Sequence, residues 1–141
     1  MPRIMALDVG EVTLGVAVSD VLGITAQPVT TLRRRGIKQD LRAIAELVGE
    51  YEISSFVVGL PLRLAGDAGP AADGAEVFAA KLRAALKLPV DTWDERLSTV
   101  QAERALLEGD VSRRKRREVI NQVAAAIILQ SFLDSRRPTR T

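Results

Sequence analysis

The period of the apolar positions changes several times along the chain, and each change predicts an element. Ile4–Asp8 and Leu14–Ser19 are short runs of β-formers, and Val9-Gly10-Glu11-Val12-Thr13 between them reads as the turn of a hairpin. Val29–Leu32, after Pro28, predicts a third strand. From Gly36 the period becomes helical. Ile37, Leu41, Ile44, Leu47 and Val48 recur on one face and predict a helix over Ile37–Glu50. Ser55–Gly59 is a short, continuous run of the kind expected of a strand buried on both faces. Leu60–Asp73 reads as a loop, on Pro61, Gly66 and Gly69. Ala75–Leu86 predicts a helix ended by Pro89, and Val90–Trp93 a fifth strand that delivers Asp94-Glu95-Arg96 at its end. Ser98 with Gln101 is a capping-box signal for a helix to about Glu108, closed by Gly109. Glu118–Asp134 is apolar on most of its circumference through Val119, Ile120, Val123, Ile127, Ile128 and Leu129, which predicts a largely buried final helix.

This order predicts an α/β fold: a hairpin meander followed by βα units, giving a mixed five-stranded sheet with helices on its faces. The length of 141 residues suggests one domain, 1–135, followed by a frayed basic tail, 136–141. Composition then narrows the chemistry. The chain has no His and no Cys, which excludes imidazole bases, thiol nucleophiles, disulfides and thiolate metal sites. Catalysis here must run on carboxylates, hydroxyls, Lys or a hard cation such as Mg²⁺ or Mn²⁺. The net charge of +2 conceals a split. Residues 113–141 hold eight Lys and Arg against Glu118 and Asp134, while 1–112 is net acidic. Such clustering suggests a polyanionic partner, because Lys and Arg gain by displacing the counterions condensed on nucleic acid. The start, Met1-Pro2-Arg3-Ile4, runs directly into a strand instead of an export signal, and the apolar run Val123–Leu129 is too short to span a bilayer. A cytoplasmic protein with no membrane partner is the simplest expectation.

Sites in open α/β sheets form beyond the strand ends, where Asp8 and Glu95 lie. Carboxylates brought together from separate elements can hold the divalent cations that phosphodiester hydrolysis uses. Either residue alone reads more commonly as a solvated turn acid.

Four blocks in order carry a resemblance. Asp8-Val9-Gly10 with Leu14-Gly15-Val16-Ala17-Val18-Ser19-Asp20 resembles the opening signature of the YqgF/RuvX family. Val57-Val58-Gly59-Leu60-Pro61-Leu62, with Gly66 and Gly69-Pro70, is similar to its second block, and Asp94-Glu95-Arg96-Leu97-Ser98-Thr99 to its third. Ala124-Ala125-Ala126-Ile127-Ile128-Leu129-Gln130 with Phe132-Leu133-Asp134 resembles its last. The resemblance implies a ribonuclease H-like fold and a metal-dependent nuclease associated with maturation of the 5′ end of 16S ribosomal RNA. Some members are described instead as Holliday-junction resolvases. Asp8 and Glu95 match the family's first two catalytic carboxylates, and the third position is Asn121 here, where the family usually has Asp.

The departure at Asn121 bears on the metal. A neutral amide oxygen coordinates a cation without adding charge, so affinity for a second metal should fall and Mn²⁺ should be preferred over Mg²⁺. A different reading makes Asn121 a helix-surface residue and Glu118, three residues earlier on the same face, the third ligand. A second departure is Val12-Thr13, which stands where the family commonly has two basic residues.

The expected nucleic-acid contacts are Gly10, Arg63, Arg96 and the run Arg113, Arg114, Lys115, Arg116 and Arg117, placed between the last two helices. Arg96 could hold a phosphate or simply pair with Glu95. Arg33-Arg34-Arg35 is a weaker candidate of the same kind. Trp93 reads as a base-stacking residue or, more commonly, an inward-facing strand aromatic, and Ser98 and Thr99 as helix caps. Precursor 16S ribosomal RNA is the implied partner, branched DNA the alternative, with the chain as monomer or homodimer. Two further readings stay open: a non-catalytic nucleic-acid-binding protein, and a nucleotide-phosphate binder.

Overall fold

The structure is a computed structural model that describes residues 3–62, 69–108 and 113–136, with the side chains of 107, 108 and 113–118 left aside. Five strands, β1 (Arg3–Val9), β2 (Thr13–Ser19), β3 (Ala26–Arg33), β4 (Ile53–Leu60) and β5 (Val90–Asp94), form one sheet in the order β3-β2-β1-β4-β5. β1 pairs antiparallel with β2 and parallel with β4, β2 pairs antiparallel with β3, and β4 parallel with β5. Among the described residues four helices, α1 (Ile37–Tyr51), α2 (Pro70–Leu86), α3 (Val100–Glu108) and α4 (Arg113–Ser135), cover it. The mixed five-stranded sheet with helices on both faces is as the pattern predicts.

Side chains alternate across a strand, so the central strands sort their residues by size between two faces. Met5, Leu7, Leu14, Val16, Val18, Phe56 and Val58 face α1 and α2, where Ile44, Phe78 and Leu82 complete a core of large side chains. The other face presents Ala6, Ala17 and Val57 to Ala124, Ala125, Ile128 and Leu129 of α4. Gly15 and Gly59 share that second face by the same alternation. A Cβ on Gly15 would lie 1.9 Å from the backbone carbonyl oxygen of Asn121, so α4 rests directly on the β2 backbone. Small residues on the sheet are what let a long buried helix come this close. Among the described residues no helix is long and apolar enough to cross a membrane.

Several boundaries differ from the sequence expectation for identifiable reasons. β3 begins at Ala26 and runs through Pro28, which an edge strand tolerates because one side of its ladder is unpaired; the register shifts between Val16 and Ala17, opposite it. α2 starts at Pro70, well before Ala75. Proline suits the first helical position, where its missing N–H is not needed, and the Gly69 carbonyl accepts the Asp73 N–H at 3.0 Å. The basic run 113–117 is the beginning of α4, not a connection between helices. The capping box at Ser98 does not form. Thr99 precedes α3 with its carbonyl accepting the Glu103 N–H at 2.9 Å, and the Ser98 hydroxyl donates to the Glu95 carbonyl at 2.8 Å while accepting the Val100 N–H at 3.3 Å.

Candidate active site

Parallel pairing aligns the carboxyl ends of β1, β4 and β5, and the site grows from that edge. Asp8 is the last but one residue of β1 and shares a face with Ala6, toward α3 and α4. Its register partner is Gly15, the glycine against which Asn121 of α4 is packed. Asn121 donates from Nδ2 to Thr13 Oγ1, so α4 is tied to the same hairpin that carries Asp8. Glu95 follows β5 directly, in a single 3-10 turn, Glu95–Leu97. Asp94 caps that turn by accepting the Arg96 N–H at 2.9 Å, and this turns Glu95 inward. Glu95 is 1% exposed and Asp8 8%. A Cβ on Gly59 would fall 3.0 Å from Glu95 Oε2, so the absence of a side chain at Gly59 makes the room Glu95 uses.

The two carboxylates meet through a residue that the sequence reading passed over. Arg104 of α3 donates from Nη2 to Asp8 Oδ1 at 2.7 Å and from Nη1 to Glu95 Oε1 at 3.1 Å. The signal for it was in the helix pattern. Val100 is fully buried, and Arg104 stands four residues on, so the inward face of α3 carries a guanidinium where an apolar residue would ordinarily stand.

Burial sets the electrostatics. It raises the Asp8 pKa above its ordinary value against the pull of Arg104. It pushes Glu95 up to about 7, again against Arg104, with the charges of Asp8 and Asp94 adding to the rise. For Arg104, burial works against the charge, but Asp8 and Glu95 outweigh it and raise the pKa. Because Glu95 binds its proton more tightly folded than unfolded, it stabilises the fold fully below about pH 4.5 and progressively less as pH rises to about 7. Glu95→Gln removes that titration. Denaturation in a chelator should therefore show little difference between wild type and Glu95→Gln at pH 4.5, and the variant more stable by about 2–3 kcal/mol at pH 8. Equal stabilities at pH 8 would contradict this account of Glu95.

The donor set suits a hard cation. Asp8 and Glu95 offer buried carboxylate oxygens, and Asn121, on the hairpin side, offers an amide oxygen; Arg104 demonstrates that the pair accepts positive charge between its members. Among the described residues no third acid joins them into a metal-holding group of three. The Glu118 side chain, the other candidate third ligand, lies outside the described residues, as do Arg63, the side chains of Arg113, Arg114, Lys115, Arg116 and Arg117, and the tail 137–141.

The remaining candidates divide. Gly10 is exposed in the turn beside Asp8, and its carbonyl accepts from Arg34 Nη1 at 3.0 Å. The Arg34 N–H donates to the Val12 carbonyl at 2.8 Å, which joins the end of β3 to this turn; Arg33 and Arg35 on either side are exposed and line a groove with Gln39 and Arg42 of α1. Arg34 itself is committed inward, to Asp40 at 3.1 Å. Arg96 pairs with Asp94 at 2.7 Å, not with Glu95, which has turned away. Trp93 is an inward strand aromatic. Its Nε1 donates to Ser131 Oγ at 3.0 Å and its ring meets Phe132 edge-on. Ser98 and Thr99 serve the backbone between Glu95 and α3, as found above. A cleft of about 720 Å³ lined by Trp93, Leu97, Ser98 and Ser131 opens beside the 3-10 turn, away from Asp8 and Glu95.

Comparison with known proteins supplies the context. A family model described as "RuvX: Holliday junction resolvase" matches residues 2–135. The chain is 55% identical to a Myxococcus xanthus (strain DK1622) protein over 99% of this chain and 92% of the relative. It is 56% identical to one from Moorella thermoacetica (strain ATCC 39073 / JCM 9320) over 94% of each. Both relatives bear the name "Putative pre-16S rRNA nuclease". In structure the chain is similar to T. thermophilus RuvC in complex with a Holliday junction substrate, with a TM-score of 0.58 at 14% identity over 96% of both chains. It is also similar to the fowlpox virus resolvase in complex with Holliday junction DNA, with a TM-score of 0.52 at 10% identity over 94% of this chain and 97% of that one. The mixed sheet and four helices are thus the ribonuclease H-like fold that the sequence blocks implied.

Proposed function

The chain belongs to the RuvX family, and from that premise we propose that it is a divalent-metal-dependent nuclease that hydrolyses phosphodiester bonds of precursor 16S ribosomal RNA. The observation that carries this reading is the convergence of two buried carboxylates, from the ends of β1 and β5, on one positive charge. A site of that construction is made to hold a cation. The names of the 55–56% identical relatives point to the RNA.

Asp8 and Glu95 would hold Mg²⁺ or Mn²⁺, with Asn121 as a neutral oxygen donor. When bound, the ion supplies the Lewis acidity that activates water and offsets the charge developing on the leaving oxygen. The chain's own part is to fix the donors and exclude bulk water around Glu95. Asp8 rests on the central strand, and Asn121 on a helix seated against Gly15. Arg33, Arg35, Arg63 and the run 113–117 would hold the phosphate backbone, which confers affinity and salt dependence without sequence preference. The test is a cleavage panel of labelled single-stranded RNA, single-stranded DNA and a four-way DNA junction, each with Mg²⁺ or Mn²⁺. RNA cut fastest supports the reading. Preference for the junction would replace it with a resolvase, and salt-sensitive binding with no cleavage under either metal would make the protein a nucleic-acid-binding module.

Asn121→Asp probes the third donor. Its Thr13 partner can reverse the hydrogen bond, since a hydroxyl donates as readily as it accepts. The added charge should lower the Mg²⁺ concentration for half-maximal cleavage about tenfold, equivalent to about 1.4 kcal/mol, and narrow the advantage of Mn²⁺. Superimposable metal titrations would remove Asn121 from the donor set.

A further inference from the structure

We propose that Arg104 is a built-in counter-ion: in the metal-free protein its guanidinium takes the cation's place between Asp8 and Glu95, and a divalent ion binds by displacing it. The inference rests on the metal-site reading above. It starts from geometry. One guanidinium reaches two carboxylates that come from different elements, β1 and the 3-10 turn after β5, at 2.7 Å and 3.1 Å, and no other cation among the described residues pairs with either. Two buried like charges need a positive partner, and arginine is the side chain that keeps its charge at any working pH. Arg104 thus occupies one oxygen of each carboxylate that would hold the ion, Asp8 Oδ1 and Glu95 Oε1.

Arg104 is also placed to leave. Its side chain is 27% exposed, against 11% for Asp8 and 1% for Glu95, so the guanidinium is the member of the cluster most open to solvent. It stands on α3, a short helix that packs mainly on α4 and the 3-10 turn and contributes no strand to the sheet. Once released, a planar guanidinium beside the metal donors is suited to a phosphate oxygen of the bound strand. The same residue therefore keeps the acid pair assembled while empty and sets a threshold on metal binding. A residue that served only to hold α3 against the sheet would set no such threshold.

Removing the placeholder should tighten metal binding, and this separates the proposal from a structural role. Mn²⁺ titration of the full chain, followed by the electron paramagnetic resonance signal of the free ion, should give Arg104→Gln an affinity at least tenfold above wild type, with Asp8→Asn far weaker than either. Melting in a chelator should show Arg104→Gln less stable than wild type, and saturating Mn²⁺ should raise its Tm by more than it raises the wild type's. Affinity in Arg104→Gln equal to or below wild type, with Asp8→Asn still defective, overturns the proposal and leaves the metal-nuclease reading standing. Absence of Asp8-dependent Mn²⁺ binding in every variant overturns both. Should Arg104→Gln fail to fold, wild type decides alone. With ¹⁵N-labelled arginine and diamagnetic Mg²⁺, the Arg104 guanidinium resonances should pass from a bonded to a solvent-exchanging state on saturation. Guanidinium resonances unmoved at saturating Mg²⁺ overturn the proposal.

Discussion

Asp8→Asn is expected to abolish cleavage of every substrate the wild-type protein cuts, with a loss of at least about a thousandfold at saturating metal. Asn matches Asp in size, so the substitution isolates charge. The removed carboxylate belongs to the central strand and is, among the described residues, one of two buried acids at the site. Charge stabilisation by a metal in such a site is worth several kcal/mol, and about 4 kcal/mol corresponds to three decades in rate. The fold should survive. Asp8 is held off its ordinary pKa by burial, so a neutral amide there relieves a desolvation penalty, although Arg104 loses one partner. Matching circular dichroism spectra and Tm values within a few degrees, with cleavage gone, is the expected pair of results. Retention of more than a tenth of wild-type cleavage would mean that the acids at the ends of β1 and β5 are not the catalytic centre.

Gly15→Ala should destabilise the protein by about 3 kcal/mol or more and lower Tm by about 10 °C. One methyl group ordinarily does little, but here its carbon would stand 1.9 Å from the Asn121 carbonyl oxygen and 2.4 Å from the carbon bearing it. Both contacts are backbone, which cannot rotate aside as a side chain could. Either α4 lifts from the sheet or β2 bends away, and both movements pull Asn121 from the rung that holds Asp8. Cleavage should fall along with stability. Gly74 provides the internal comparison. It lies within α2, and a Cβ there meets nothing within 4 Å, so Gly74→Ala should stabilise by about 0.5–1 kcal/mol through lost freedom in the unfolded chain. Similar Tm values for the two variants would contradict the close seating of α4.

Much of this arrangement was legible because local pattern and burial agree. The runs around Leu7, Val16 and Val57 are strands since both faces of a helix-covered sheet are dry. Asp8 and Glu95 were found as acids that end such runs. Pairing choices were harder to read. Arg96 adjoins both Asp94 and Glu95, and only the 3-10 turn decides which acid faces out to meet it. The start of α2 was obscured because Gly69-Pro70 carries the same composition whether it closes a loop or opens a helix. Arg104 lies nearly a hundred positions from Asp8 in the chain, so nothing local links them. What betrays it is a charge on the buried side of α3, a clue that acquires meaning once something charged is known to lie beneath.

The central position of β1 also divides the molecule by how readily its parts come open. Hydrogen-bonded on both sides, the backbone around Leu7 and Asp8 can exchange its amide protons only when the sheet itself comes apart, whereas α3 lies outside the sheet and can open on its own. On warming, Arg104 should therefore be freed at temperatures where Asp8 is still anchored. Such a molecule meets heat or mild denaturant by loosening its grip around the acid pair first, with the central strand that carries Asp8 among the last parts to give way.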